Sequence, residues 1–428
     1  MAPLDHTTVL LYNKYVAQQN CCIFDRYEEG TVLKNVTGQV VQGDDFFDRD
    51  SEISRYWNGL ETDNLILLAP RRVGKSSVLR RMKANAATKG FFSIYIDVSD
   101  CNDELRFVQR LYSAILEHHG SADRLWNALS ESWLGKTISR VKKAGAAGFS
   151  IEFESDESSW ARMGEELAEA LSELDGRTLI QVDEIPVFVL KLLNREDESN
   201  QGRVREFLYW LRRLRQHYPQ VRWMMAGSIG LDTVTSRLNI ADSINDLRIE
   251  TLGAFNEDTS NEFLHSLAIA YGVTLDKPAR DHIFARVGWL VPYYLQLIFA
   301  KIRDVKNPSV ADVDEAVNIL LGPQHKSVFD YWRQRLRDEL GRPDSDHAAL
   351  LLHSACRTPE GAPLSILKLA LGSVLPQAEK RDDGIRYLLD VLENDGYLVA
   401  ADKHWKFRSP LLREYWLRRV APAESEDE

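Results

Sequence analysis

The stretch NLILLAPRRVGKSSVLRRM, residues Asn64 to Met82, decides how the rest of the chain reads. It opens on the apolar run Leu65-Ile66-Leu67-Leu68, long enough for a buried strand and too short for a helix. The chain then turns through Ala69-Pro70-Arg71-Arg72-Val73-Gly74 and reaches Lys75-Ser76-Ser77. Beyond that point Val78, Leu79 and Met82 recur at helical spacing among Arg80, Arg81 and Lys83. A strand, a turn ending in Gly-Lys-Ser and an amphipathic helix form the order of a phosphate-binding loop. The N-terminus of such a helix aims free N–H groups and a partial positive charge at one point, where a phosphate can sit. On this reading Ala69, Pro70, Arg71, Arg72, Val73, Gly74, Lys75, Ser76 and Ser77 surround the phosphates of ATP. Lys75 reaches the β- and γ-phosphates, and the Ser76 hydroxyl holds a magnesium ion. Alone the tripeptide is weak evidence, since it arises by chance at roughly one position in 2000. Ala69 also stands where the full pattern has its first glycine, which alanine can replace only if φ stays negative.

A second stretch carries the other half of the argument. Arg177-Thr178-Leu179-Ile180-Gln181-Val182-Asp183-Glu184 reads as an apolar strand that ends on two acids. Carboxylates at the end of a buried strand are costly unless something engages them. Magnesium does: Asp183 binds it directly or through water, and Glu184 polarises the attacking water. Val221 to Ala226 reads as another strand, followed by Gly227-Ser228, where the Ser228 hydroxyl can sense a γ-phosphate. The catalytic candidates are therefore Lys75, Glu184 and Ser228, and the metal ligands Ser76 and Asp183. Phe91 to Val98 is the second strand and Arg248 to Leu252 a fifth. This β-α order predicts a parallel sheet ordered 5-1-4-3-2, with the ligand at the carboxyl ends of its strands.

Outward from the sheet, the expected organisation is an N-terminal arm over 1–42, a core over 43–255 with an insertion at 120–158, and a helical lid over 256–322. A connecting helix over 323–345, a winged helix over 346–420 and an acidic tail over 421–428 follow. Phe46 and Phe47 either close over the adenine or staple the chain into the next helix; the sequence leaves both open. Arg140-Val141-Lys142-Lys143 reads as a solvated helix face in preference to a nucleic-acid contact. The composition of the 428 residues, 44% hydrophobic and 27% charged, is that of a globular protein. A net charge of −11 argues against indiscriminate binding to nucleic acid or anionic membrane. Cys21, Cys22, Cys101 and Cys356 lack metal-ligand spacing and read as free thiols in a reducing compartment. With no basic leader and no apolar run of about 18 residues, a cytoplasmic protein that does not enter the membrane is expected.

Together GDDFFDRDSEI, APRRVGKSS, QVDEIP, MMAGSIGL, VGWLVPYYLQ and LENDGYL with KFRSPLLREYW resemble the archaeal-type P-loop ATPases. These are related to the STAND signalling ATPases and, more distantly, to origin-recognition initiators. The resemblance runs from about Gly43 to Trp416 and implies an AAA-like core, a lid, a C-terminal winged helix, and the roles given to Lys75, Ser76, Asp183, Glu184 and Ser228. It names an engine and not a task. The readings are a slow ATP-hydrolysing switch with a protein partner, a DNA-associated ATPase of initiator or transposition-regulator type, and a scaffold that scarcely hydrolyses. Glu184 argues against the scaffold, and acidic charge argues against DNA. A nucleotide-dependent homo-oligomer fits the family, and Arg237, Arg248 and Arg286 are candidates to reach a γ-phosphate across its interface or from the lid. The helix before the wing, expected over Asp383 to Asn394, carries Asp390 and Glu393 with Arg386 as its one base, and so favours protein over DNA.

Overall fold

The computed structural model describes residues 33–117, 160–193, 200–227 and 231–421. The expected insertion, nearly all of the acidic tail and most of the N-terminal arm lie outside them, as do Cys21, Cys22 and Ser228. Five strands, β1 (Asn64–Leu68), β2 (Phe91–Asp97), β3 (Arg177–Asp183), β4 (Val221–Gly227) and β5 (Leu247–Thr251), form one sheet ordered β2-β3-β4-β1-β5. Every neighbouring pair is parallel. This is the expected 5-1-4-3-2 order seen from the other edge.

Parallel strands need crossover helices, so both faces of the sheet are covered and the strands read as continuous apolar runs. Leu65 and Leu67 pack to one side with Leu179, Met224 and Ala226, while Ile66 packs to the other with Ile180, Val182, Trp223 and Met225. The first of these faces does not end at the sheet. It continues into the lid through Leu264 and Ile298, and into the C-terminal part through Trp332, Leu388 and Trp416.

Capping chemistry sets the lid helices. Asn256 caps Glu257–Tyr271 by accepting from Thr259 N, and Asp276 caps Lys277–Val287 by accepting from Ala279 N. Pro292 opens Pro292–Ile302, and Ser309 with Asp312 forms a capping box on Val310–Leu320. The connecting helix is Lys326–Leu340. Helices Asp344–Ala355, Leu364–Gly372, Ala378–Asn394 and Pro410–Arg419 then frame an antiparallel sheet of β6 (Ala362–Pro363), β7 (Leu398–Ala401) and β8 (His404–Phe407), ordered β6-β8-β7. That is the winged helix. Its wing turns at Asp402 and Lys403, both left-handed (φ 50° and 67°), as a two-residue hairpin requires. The helix before the wing starts at Ala378, ahead of the expected Asp383, because Glu379-Lys380-Arg381-Asp382 offers no apolar periodicity to mark it. Lys380 and Arg381 therefore join Arg386 on that helix, which corrects the count of one basic residue.

The C-terminal part is built onto the core and not beside it. Tyr294 of the lid, Phe329 of the connecting helix and Tyr415 of the last helix stack in a ladder with centroid spacings of 6.3 and 5.0 Å. The Tyr397 hydroxyl donates to Trp332 O at 2.6 Å. Gly396 is left-handed (φ 88°), and a Cβ there would lie 2.6 Å from the Trp289 ring and 3.2 Å from Pro70 Cβ. Glycine is thus demanded twice, by φ and by space. Cys101 and Cys356 are buried free thiols. Among the described residues no helix is long and apolar enough to cross a membrane.

Gly396→Ala is expected to destabilise the protein by about 1–3 kcal/mol, the usual scale for overpacking. Urea unfolding measures this, and an unchanged midpoint would show that the turn before β7 has room for a side chain beside Pro70 and Trp289.

Candidate functional site

The phosphate loop connects β1 to the helix Lys75–Asn85. Two of its residues are left-handed, Arg72 (φ 68°) and Gly74 (φ 100°), and the second serves as the N-cap. The loop is anchored on its sheet side by Ala69 N, which donates to Gly227 O at 3.1 Å. Ala69 itself is 1% exposed, so the position that glycine often fills is taken by a packed methyl. Residues 70–74 then deliver Lys75 to the carboxyl end of the sheet.

There the side chains converge. Lys75, 6% exposed, bonds through Nζ to Asp183 Oδ1 and to Glu184 Oε1, the latter at 2.9 Å. Ser76 Oγ donates to Asp183 Oδ2 at 2.7 Å, and the Tyr95 hydroxyl donates to the same oxygen at 3.1 Å. Glu184 N adds a donor to Asp183 Oδ1 at 3.1 Å. Asp183 is thus buried but well supplied with donors, which is what a carboxylate out of water needs. Glu184 is left-handed (φ 62°), a costly conformation for a residue with a Cβ, at the point where β3 hands over to the helix Ile185–Leu193.

Electrostatics follow from this geometry. Burial pushes the Lys75 ammonium down, but Glu184 and Asp183 outweigh it and hold its pKa above the ordinary lysine value. Burial pushes the Glu184 carboxyl up, and Lys75, Arg71 and Arg335 outweigh that, holding it well below the usual carboxylate range. Burial raises the Tyr95 phenol, and Asp183 raises it further, so Tyr95 stays a donor.

The structure places the remaining sequence candidates as follows. Ser77 Oγ accepts from Val41 N at 3.0 Å and so ties the chain before the core to the loop helix. Phe47 packs edge-on to Phe255 (6.2 Å) and Phe263 (5.1 Å), so its ring fastens the core to the lid. Arg248 sits near the amino end of β5, bonded to Glu250 at 3.0 Å, and Arg286 bonds Glu414 at 2.8 Å on the last helix. Neither lies at the loop of its own chain. Ser228 and the Arg237 side chain fall outside the described residues.

Sequence reading missed two participants, Tyr95 and Arg49, and named a third, Arg72, only as a phosphate-loop residue. Tyr95 looks like one more aromatic of an alternating strand, and only the register that sets it opposite Gln181 brings its hydroxyl to Asp183. Arg49, 5% exposed, donates to Val73 O (3.2 Å) and Gly253 O (2.8 Å) and lies 4.5 Å over Phe255, bolting the back of the loop to the start of the lid. Arg72 is held between the rings of Tyr293 (4.4 Å) and Tyr331 (4.6 Å), from the lid and the connecting helix.

Comparison with protein-family models finds no match, and comparison with curated proteins finds none either. Solved structures do match. The Walker-type ATPase PABY2304 of Pyrococcus abyssi is 18% identical, with a TM-score of 0.56 over 88% of this chain and 97% of that one. The ORC2 protein of Aeropyrum pernix, solved as ADPNP–ADP complexes, is 12% identical, with a TM-score of 0.48 over 91% and 95% of the two chains. The ORC1 protein of Aeropyrum pernix, solved in complex with DNA, is 17% identical, with a TM-score of 0.40 over 88% and 93%. Of these three the first exceeds 0.5, and at its level of identity the shared property is the fold. The resemblance to archaeal-type P-loop ATPases therefore holds as architecture: this chain has the fold of a Walker-type ATPase.

Proposed function

We propose that the protein binds ATP with magnesium at the 69–77 loop, hydrolyses it slowly, and couples nucleotide state to a protein partner in the manner of a STAND-like switch. One observation carries this reading: Lys75, Ser76, Asp183 and Glu184, distant in sequence, meet at the carboxyl ends of β1 and β3.

Ser76 Oγ and Asp183 Oδ2 are hard oxygen donors beside each other, the pair that suits magnesium with water and phosphate as its other ligands. The ion, when bound, offsets charge on the phosphate oxygens. Tyr95 holds the Asp183 carboxylate in place for that task. A γ-phosphate is an anion that competes with Glu184 for the Lys75 ammonium. Once Lys75 turns to phosphate, Glu184 Oε1 is free to accept a proton from water. Slow turnover is expected because Arg248 and Arg286 are engaged with Glu250 and Glu414 and neither is placed to meet a γ-phosphate of its own chain. Ser228 follows β4 between the two motif-bearing strands and is assigned to the γ-phosphate. An arginine supplied by a partner subunit is worth roughly 10³–10⁵ in rate, which gives a nucleotide-dependent oligomer a means of control.

The winged helix is assigned to protein. The helix Ala378–Asn394 carries Glu379, Asp382, Asp383, Asp390 and Glu393 against Lys380, Arg381 and Arg386. Just past β8, Arg408 lies 5.2 Å over the Trp289 ring, a contact that engages its guanidinium within the protein. The second reading, a DNA-associated ATPase, gains from Lys380 and Arg381 at the start of the helix.

Lys75→Ala is expected to abolish ATP binding in a protein that still folds; calorimetry showing unchanged affinity would remove the central claim. Glu184→Gln is expected to keep ATP affinity while turnover falls about 10²–10⁴-fold, the usual share of a general base. Rapid, concentration-independent turnover by the wild-type monomer is incompatible with a partner-gated switch. Full-length protein titrated with duplex DNA near physiological salt is expected to bind no tighter than roughly 10 µM. Tighter binding that weakens steeply with salt and on Lys380→Ala/Arg381→Ala substitution supports the DNA-associated reading instead.

A further inference from the structure

Among the described residues, exposed large apolar side chains concentrate on the second helix of the winged helix, Leu364–Gly372, and the turn after it. Leu367 and Leu371 supply the buried face of that helix, so the domain's interior does not need the others. Ile366 is nevertheless 46% exposed and Leu369 74%, with Leu364 and Val374 exposed beside them. Single exposed leucines need no explanation, whereas a cluster marks a surface that something covers. Ile366, Ala370 and Ser373, at helical spacing, form one wall of a groove of about 570 Å³. The facing wall is the helix Asp344–Ala355, through Leu350 and His353, and the turn from Arg357 to Pro363 joins the two. The groove has a sign as well as a shape. Between residues 350 and 375 the only acid is Glu360, against Arg357 and Lys368, in a chain of net charge −11. Lys368 pairs with Asp382 at 2.8 Å, while Arg357 and Arg333 are both exposed. Burial, with Arg357 and Arg333 adding to it, holds His353 below the ordinary histidine pKa, so its ring is neutral near pH 7. His353 Nε2 is shielded from water and has no hydrogen-bond partner among the described residues.

We propose that this groove is where the winged helix takes its protein partner, and that the occupant is an amphipathic helix whose apolar row is bordered by carboxylates. The inference rests on the assignment of the winged helix to protein and is independent of the nucleotide reading. A helix seats between two others by laying a ridge of side chains, three and four residues apart, along the groove they form. Ile366 and Ala370 on one wall and Leu350 on the other meet that ridge, and Leu369, one turn from Ile366, covers its flank. Carboxylates along the border meet Arg357 and Arg333, and a polar group of the occupant completes His353 Nε2. Nucleic acid suits the groove poorly, since phosphates bring nothing to bury against Ile366 and Leu369. A bilayer takes an outward-facing apolar surface, whereas here apolar side chains line a concavity. No residue of the helix Ala378–Asn394 lines the groove, so the partner's seat is separate from the helix that precedes the wing.

The test uses the full-length protein and a displayed library of amphipathic helices about 18 residues long, roughly five turns. Each has one aliphatic row, with flanks drawn from Glu, Gln and Lys. Selected sequences are expected to carry Glu flanks and, as synthetic peptides, to slow hydrogen exchange over residues 350–357 and 364–373. Ile366→Glu/Leu369→Glu is expected to weaken the peptides at least about 10-fold, the worth of one well-buried apolar side chain. Leu369→Glu alone, at the more exposed position, gives the same direction of change if the pair lowers the thermal midpoint. Arg357→Glu is expected to reverse the preference, so that selection on that variant returns Lys flanks. Lys-flanked or charge-indifferent sequences selected by wild type, no selection at all, or peptides that bind the double variant as tightly as wild type overturn the proposal. Peptides that protect 378–394 in place of the groove overturn it while leaving the winged helix assigned to protein. Duplex DNA that protects the groove helices, with no peptide selected, overturns both.

Discussion

Lys75 is an ammonium placed where water scarcely reaches it, and the two carboxylates at the end of β3 make that placement tolerable. An isolated buried charge costs far more than a domain can spare, whereas a cation bracketed by Asp183 and Glu184 is held charged by its surroundings. Much of the architecture serves this arrangement. The strands bearing lysine and acids are not neighbours, since β4 runs between them, so the long lysine side chain has to cross the end of that strand. A parallel sheet is the structure that gathers several strand ends on one edge, and crossover helices on both faces are its requirement.

The loop is gripped from three sides by groups that carry no part of the motif. Arg49 fixes Val73 from behind, Tyr293 and Tyr331 enclose Arg72, and the Gly396 turn lies on Pro70. Each grip comes from a different segment: the approach to the core, the lid with its connecting helix, and the winged helix. A displacement of a few tenths of an ångström in the loop is therefore felt by all three, because packed contacts shift between discrete arrangements and do not stretch.

The sheet order and the four converging polar residues were legible because they are written locally. An apolar run of strand length, a glycine that supplies a left-handed φ, and an acidic pair after a buried strand each announce themselves within eight residues or so. Tyr95 and Arg49 were not legible, because their meaning lies in tertiary register. Tyr95 is one ring in an alternating strand, and Arg49 is one charge set between Asp48 and Asp50. Helix length before the wing was misjudged for the opposite reason: its first turn is almost wholly polar, so nothing periodic marks it. Phe46 and Phe47 were ambiguous since rings that cover an adenine and rings that fasten two helices look alike until their neighbours are known.

The continuity of one core across sheet, lid and winged helix has a consequence for how the polypeptide behaves as a folding unit. Separable domains each enclose their own apolar interior and meet through modest, polar interfaces. Here the ladder of Tyr294, Phe329 and Tyr415 runs through three segments, and residues from the winged helix and from β1 belong to the same buried cluster. Boundaries that are plain in the sequence are therefore not boundaries of cooperativity. Cutting the chain before the connecting helix would not release an intact P-loop core and a free winged helix; it would leave each with an exposed half of a shared interior, and so two aggregation-prone fragments in place of one protein.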